Sequence, residues 1–256
     1  MKNLAQALWV EILKARRSKM PLFTALGFSF LPLGGGFFML ILKDPELARR
    51  VGLISAKAQL TMGVADWPTY LGFLSLGSAA AGIVLFSLIG SWVFGREYAD
   101  RTVKDLLALP TPRSAIVLAK FILVGGWSGV LIVMIYLVAL VVGTAVGLPN
   151  VPLQVFLRGA STLAITAALT LASAAPIIFF ASAGRGYLPP VGVSMLAIAL
   201  AQVVGIIGWG EYFPWSVAGV YSQGGELGIA SYVIVVLTCL VGTAATFAWW
   251  ELADQK

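Results

Sequence analysis

The chain has 256 residues, of which 59% are hydrophobic and 11% charged, with a formal net charge of +6 and a mean hydropathy of +0.94. Soluble globular domains hold about 45–50% apolar and about 25% charged residues, so this composition excludes one and predicts an all-α, polytopic integral membrane protein. The absence of histidine and the single cysteine, Cys239 in an apolar run, exclude an intramolecular disulfide and any chemistry that needs imidazole.

A bilayer core takes about 20 mainly apolar residues per helix. Six runs of that length lack Asp, Glu, Lys and Arg, at 21–42, 68–95, 121–157, 159–184, 186–210 and 227–250. The third exceeds one span, and the cluster Gly147-Leu-Pro-Asn150-Val-Pro152 should end its helix before Val151. Six transmembrane helices are therefore expected near 21–42, 68–95, 118–147, 159–183, 187–209 and 227–250 in a single transmembrane domain covering 1–256.

Ahead of them, residues 1–20 carry too long a charged part, and the next apolar run is too long, for a signal peptide. On a helical wheel Leu4, Leu8, Trp9, Ile12, Leu13 and Ala15 share one half, and Asn3, Gln6, Glu11, Lys14 and Arg17 the other. That pattern predicts a helix lying in the inner membrane interface; a helix merely leading into span one fits it equally. If the spans alternate, twelve Lys and Arg fall on the N-terminal side and five opposite, so the positive-inside rule puts both termini in the cytoplasm. Trp67, Trp92, Trp209, Trp249 and Trp250 at span ends are read as an aromatic belt.

Between spans one and two, Asp44-Pro45-Glu46 starts a helix well, and Arg49, Arg50 and Lys57 read as its solvated face in preference to a site for anions. Span two is rich in small residues such as Gly72, Ser75, Ser78 and Gly82, which favour close helix packing before a substrate groove. After it, six charges fall between Arg96 and Asp105, three of each sign. Arg96, Glu97, Asp100, Arg101, Lys104 and Asp105 share one half of a wheel, predicting a cytoplasmic amphipathic helix at 96–109 with Glu97–Arg101 and Asp100–Lys104 pairs. Pro110 should stop it, with Thr111 as the next N-cap and Pro112 as the first helical residue. A loop that only pins topology does not need the acids, so the mixed face points to docking on another protein.

Further along, residues 210–226 with Tyr212, Phe213, Pro214 and Trp215 read by themselves as an aromatic-anchored outer loop. All eleven acidic residues lie outside the six runs, which argues against a proton-driven carrier. A Ser–His or Asp-pair protease, an H-E-x-x-H zinc site and a G-x-x-x-x-G-K-[ST] phosphate loop are missing too. No catalytic, cofactor-binding or metal-binding residue is expected, and energy for uphill transport would have to come from another subunit.

The spacing of Glu97, Tyr98, Thr102, Leu106, Leu107, Pro110, Arg113 and Lys120 in "EYADRTVKDLLALPTPRSAIVLAK", with "KAQLTMGVADWPTYLG" at 57–72 and the six-span layout, resembles ABC-2 type ABC transporter permeases. The likeness is to the small bacterial group of bacitracin and lantibiotic export or immunity, in which Gly commonly stands where this chain has Arg101. The resemblance implies that 96–109 is a coupling helix. Glu97, Tyr98, Asp100, Arg101, Lys104, Asp105 and Arg113 would then contact a separate ATP-binding cassette subunit, which holds ATP and Mg. It also implies that Tyr212, Phe213, Pro214 and Trp215 form a short, partly re-entrant outer segment.

The function so implied is the permease half of an ATP-driven exporter in the cell inner (plasma) membrane, with ATP hydrolysis in the partner. Expected partners are that subunit, a second copy of the chain or a related permease, and membrane lipid, with no nucleic acid. Gly34-Gly35-Gly36 in span one and Gly192, Ser194 and Gly205 in span five mark an expected dimer seam. Other readings are a non-pumping immunity or structural protein that binds a peptide or lipid and, third, a passive channel. The phenylalanines of span one suit an amphipathic cargo and lipid-facing packing equally.

Overall fold

Runs of apolar residues this long leave the backbone one economical choice away from water, the helix, because it satisfies its own N–H and C=O groups. In the computed structural model, which describes residues 2–44, 64–108 and 110–252, all regular structure is helical. In chain order the helices are α1 (Lys2–Arg16), α2 (Met20–Lys43), α3 (Trp67–Ala99), α4 (Val103–Leu107), α5 (Arg113–Ala145), α6 (Leu153–Ala183) and α7 (Leu188–Ile207). A 3-10 turn (Gly210–Tyr212), α8 (Pro214–Ser222) and α9 (Ile229–Leu252) follow. Six of these, α2, α3, α5, α6, α7 and α9, are long and apolar enough to cross a membrane. Most of the segment with Arg49, Arg50 and Lys57 lies outside the described residues, as does Leu109.

Side-chain contacts fix which helix ends lie together. At one end the Trp250 Nε1 of α9 donates to Ser182 Oγ of α6 (2.9 Å), and Arg113 at the start of α5 donates to the Trp250 and Glu251 carbonyls (3.2 Å each). At the opposite end Lys43 donates to the Val146 and Gly147 carbonyls (2.9 and 2.6 Å), and the Trp67 ring meets Phe156 at 4.9 Å. The first is called here the α1 end and the second the far end. Trp67 and Trp250 are buried in these contacts and do not belong to an aromatic belt. Trp209 is exposed.

The turn that ends each helix follows from its sequence. Gly147, Gly208 and Gly224 take positive φ of 70°, 88° and 76°. Each closes its helix with the paired 6→1 and 5→2 bonds of a Schellman motif, for example Leu148 N to Gly143 O and Gly147 N to Thr144 O. At the α1 end the same motif ends α3 and α6, but the left-handed residue is Arg101 (φ 58°) or Arg185 (φ 51°). α5 begins one residue later than its proline suggested, with Pro112 at the N-cap and no side-chain cap.

Helices in lipid gain little from apolar contact alone, so small residues that admit a close approach decide who packs on whom. α3 and α6 share the most extensive contact, and Ser75, Ser78, Ala79 and Gly82 of α3 are buried. α9 lies on α6 where Gly242 faces Pro176: a Cβ on Gly242 would fall on the backbone of Ala175 and Pro176. In span one, Gly35 packs on Tyr70 and Gly36 on Val142 of the same chain, so these two glycines are not free for a dimer seam. Gly192 and Gly205 of α7 face open space.

Overpacked interiors lose about 1–3 kcal/mol. Gly242→Leu should therefore lower the thermal midpoint of the purified protein in mild detergent, whereas Gly192→Leu should leave it unchanged, read by size-exclusion survival after heating.

Candidate functional site

Lys120 stands on the face of α5 that carries Ile116, Val117, Leu123 and Val124, three and four residues either side, and that whole face is buried. Its ammonium is therefore carried into the bundle, where it is 0% exposed. All three of its protons find acceptors: Val93 O at 2.8 Å, Glu11 Oε2 at 3.2 Å and Glu97 Oε1 at 3.2 Å. The rings of Phe94 and Trp250 wall it, each centroid 5.9 Å from Nζ.

Two further groups close the circuit. Lys14 Nζ donates to Glu11 Oε1 (2.9 Å) and Glu97 Oε1 (2.7 Å), and Thr102 Oγ1 donates to Glu97 Oε2 (2.8 Å). Two ammonium groups thus meet two carboxylates, with Glu11 and Glu97 only 5% and 4% exposed. Burial by itself pulls the Lys14 pKa down, but the carboxylates of Glu11 and Glu97 outweigh it and hold it above the ordinary 10.5. A raised lysine contributes its full stability below 10.5 and loses it only as pH rises through the higher folded value, so Lys14 stays charged throughout the neutral range.

This geometry corrects the sequence reading in three places. The helix expected at 96–109 is broken: α3 continues to Ala99, Arg101 turns the chain, and α4 is a separate short helix. Glu97 faces inward and pairs with Lys14 and Lys120, not Arg101, and is not on a docking surface. Asp100 is exposed and pairs with Arg96 at 3.1 Å. On α1, Glu11 and Lys14 were assigned to the polar half, yet they face protein, while Trp9 is 62% exposed. What could have revealed them is Lys120 itself, a lysine in the middle of an apolar helical face that requires a buried counter-charge.

The other expected residues fall in two places. Tyr98 is half-buried with its ring 6.1 Å from Trp250, and Arg113 caps the carbonyl end of α9, a favourable place for a cation. Arg101, Thr102, Asp105 and Ala108 are exposed around α4, while Val103 is buried and Leu106 rests on the core. The Lys104 side chain lies outside the described part of α4. Far from these, Tyr212 and Phe213 lead into α8, where the Pro214 carbonyl accepts from Ser173 Oγ (2.8 Å), two-thirds of the way along α6. Trp215 packs against Ile83, Ile177 and Ala197, so the chain turns back into the bundle between α7 and α9. Among the described residues no group of His, Cys, Asp and Glu could hold a metal ion.

Comparison with known proteins adds the following. The family model described as ABC-2 family transporter protein matches residues 7–202. The bacitracin transport permease protein BCRB of Bacillus licheniformis is 27% identical over 177 residues, covering 68% of this chain and 85% of that protein.

Removing one partner from a buried ion cluster costs about 3–5 kcal/mol, because the remaining charge stays buried. Lys120→Met should therefore drop the yield of monodisperse protein and its thermal midpoint sharply. Adding Glu97→Gln to Lys120→Met restores charge balance and should recover much of the loss, read by fluorescence-detected size exclusion.

Proposed function

The chain belongs to the ABC-2 transporter family and is a multi-pass transporter permease of the plasma membrane; from that premise we propose that it is the membrane half of an ATP-driven exporter, moved by a separate ATP-binding subunit docked at α4. The observation that carries the proposal is how α4 is held. On one side the Arg101 stop joins it to α3, on the other Pro110-Thr111-Pro112 joins it to α5, and both flanking helices are locked together by the Glu97–Lys120 pair. A push on the exposed Asp105 and Ala108 is then passed to two rigid helices of 33 residues each. The positive-inside count puts this end in the cytoplasm, where an ATPase is available.

The cargo route would follow the opposite half of the molecule. A groove of about 410 Å³ runs between α3, α7 and α8, bordered by Gln202 and Trp215. Trp215 Nε1 is buried with no hydrogen-bond partner among the described residues, which leaves a donor for a ligand. α8 acts here as a re-entrant plug. Leu196, Leu200, Val203 and Ile206 keep the neighbouring face of α7 exposed with Gly192, and this favours a second copy closing the groove from the other side. The name of the relative makes a bacitracin-like peptide the first cargo to try.

Two outcomes check this reading. Asp105→Arg with Ala108→Arg should leave folding intact and reduce co-purification of the ATPase at least tenfold; undiminished co-purification and ATPase stimulation would sink the docking site. Single cysteines along α7, in a Cys239→Ala background, should cross-link between copies with helical periodicity on the face of Gly192, Leu196, Leu200 and Val203. Absence of cross-links together with a monomeric mass in mild detergent would overturn the dimer.

A further inference from the structure

A second groove, of about 620 Å³, opens at the far end between the first turns of α3, the first turns of α6 and the turn after α8. That volume lies within the range of about 300–1,000 Å³ typical of small-molecule sites. Arg158 and Thr162 of α6 are four residues apart and Leu71 and Ser75 of α3 likewise, so each pair presents one helical face to the groove, and Tyr221 and Gln223 close it from α8. Among the described residues no carboxylate lines it. Gly72 leaves a gap in its wall, with no atom within 4 Å of where a Cβ would stand.

The one cation among its described lining residues, Arg158, sets the chemistry. Two cations are described at this end of the bundle. Lys43 is consumed by the Val146 and Gly147 carbonyls, whereas Arg158 has no ionic or hydrogen-bonded side-chain partner among the described residues. An arginine fork fits phosphate in two-point contact. Its depth fits as well. α6 has 31 residues, about 46 Å at about 1.5 Å per residue, roughly 8 Å longer at each end than a bilayer core of about 30 Å. Arg158, five residues from the start of α6, therefore lies about 8 Å in, at the level where lipid phosphates begin. Leu71, packed level with Gly159 and so one residue deeper than Arg158, offers apolar wall to the start of an acyl chain, while Val155 lies nearer the start of α6, on the headgroup side.

We propose that this groove is a binding site for an anionic phospholipid of the outer leaflet, its phosphate held by Arg158 and the start of its acyl chain laid against Leu71. The groove lies at the opposite end of the bundle from α4, and its ligand can be tested on the chain alone. Protein purified in mild detergent is incubated with equal amounts of phosphatidylglycerol and phosphatidylcholine and analysed by native mass spectrometry. Wild type should retain one phosphatidylglycerol per chain at least tenfold over phosphatidylcholine. Arg158→Gln should abolish that preference and Arg158→Lys restore part of it. Gly72→Leu, which fills the gap without touching the cation, should reduce binding of both lipids. Equal retention of the two lipids by wild type, a preference unchanged in Arg158→Gln, or displacement of bound phosphatidylglycerol by millimolar inorganic phosphate would overturn the proposal.

Discussion

The α1 end of this molecule depends on one requirement: a lysine ammonium with no access to water must be neutralised where it stands. Lys120 reaches that position because its helix face is otherwise apolar, and leaving it uncompensated would be prohibitive. Its neutralisation draws Glu97 inward from the last turns of α3 and Glu11 inward from α1, and Lys14 follows to balance the second carboxylate. Three segments distant in sequence are thereby fixed to one another by groups that cannot slide without stranding a charge. Apolar contacts between lipid-embedded helices impose no such register, since lipid competes for them on equal terms.

The inward turn of Glu97 also explains how α3 ends. Thr102 reaches back to the Glu97 carboxylate while its N–H bonds the Glu97 carbonyl at 2.9 Å, so the chain must reverse tightly between them, and Arg101 is the residue that takes the left-handed conformation. A non-glycine residue there costs about 1–2 kcal/mol. At the far end glycine fills every such position among the described Schellman turns, while at the α1 end arginine does so twice. An arginine at a helix C-terminus meets the negative end of the helix dipole and adds a positive charge on the side the positive-inside rule makes cytoplasmic, two gains that offset the strained backbone.

The spans were legible because length and hydropathy are one-dimensional properties: an apolar run without charges becomes a helix whatever surrounds it. The turn at Gly147 was legible for the same reason, since glycine and two nearby prolines interrupt a helix locally. The charged segment was misread because a wheel drawn from Arg96 to Leu109 presumes one unbroken helix and a watery exterior. Once the axis breaks at Arg101, the shared face of Glu97 and Asp105 has no physical meaning. Nor can a wheel reveal that Glu11 and Lys14 have partners across 109 and 83 residues of sequence, which follows only from how α1 lies on α5. Trp250 misled for a related reason: tryptophans at span ends serve belts and buried junctions alike, and only the Ser182 and Arg113 contacts tell them apart.

α3 connects these separate features. Its first half lines the far-end groove through Leu71 and Ser75 and the α7 groove through Leu76, Ala79 and Ile83, and its last turn delivers Glu97 to the ion cluster. α2 and α6 each carry an interior proline, where a helix can bend, whereas α3 has none between its first turn and its end. A continuous helix of 33 residues, about 50 Å long, carries a displacement from one end to the other as a tilt, with little loss to internal flexing. The two grooves and the charged end are therefore surfaces of one lever, and the ion cluster serves as its clamp. On the proposed docking, a displacement of α4 would reach both grooves through α3, without any chain of side-chain rearrangements along the way.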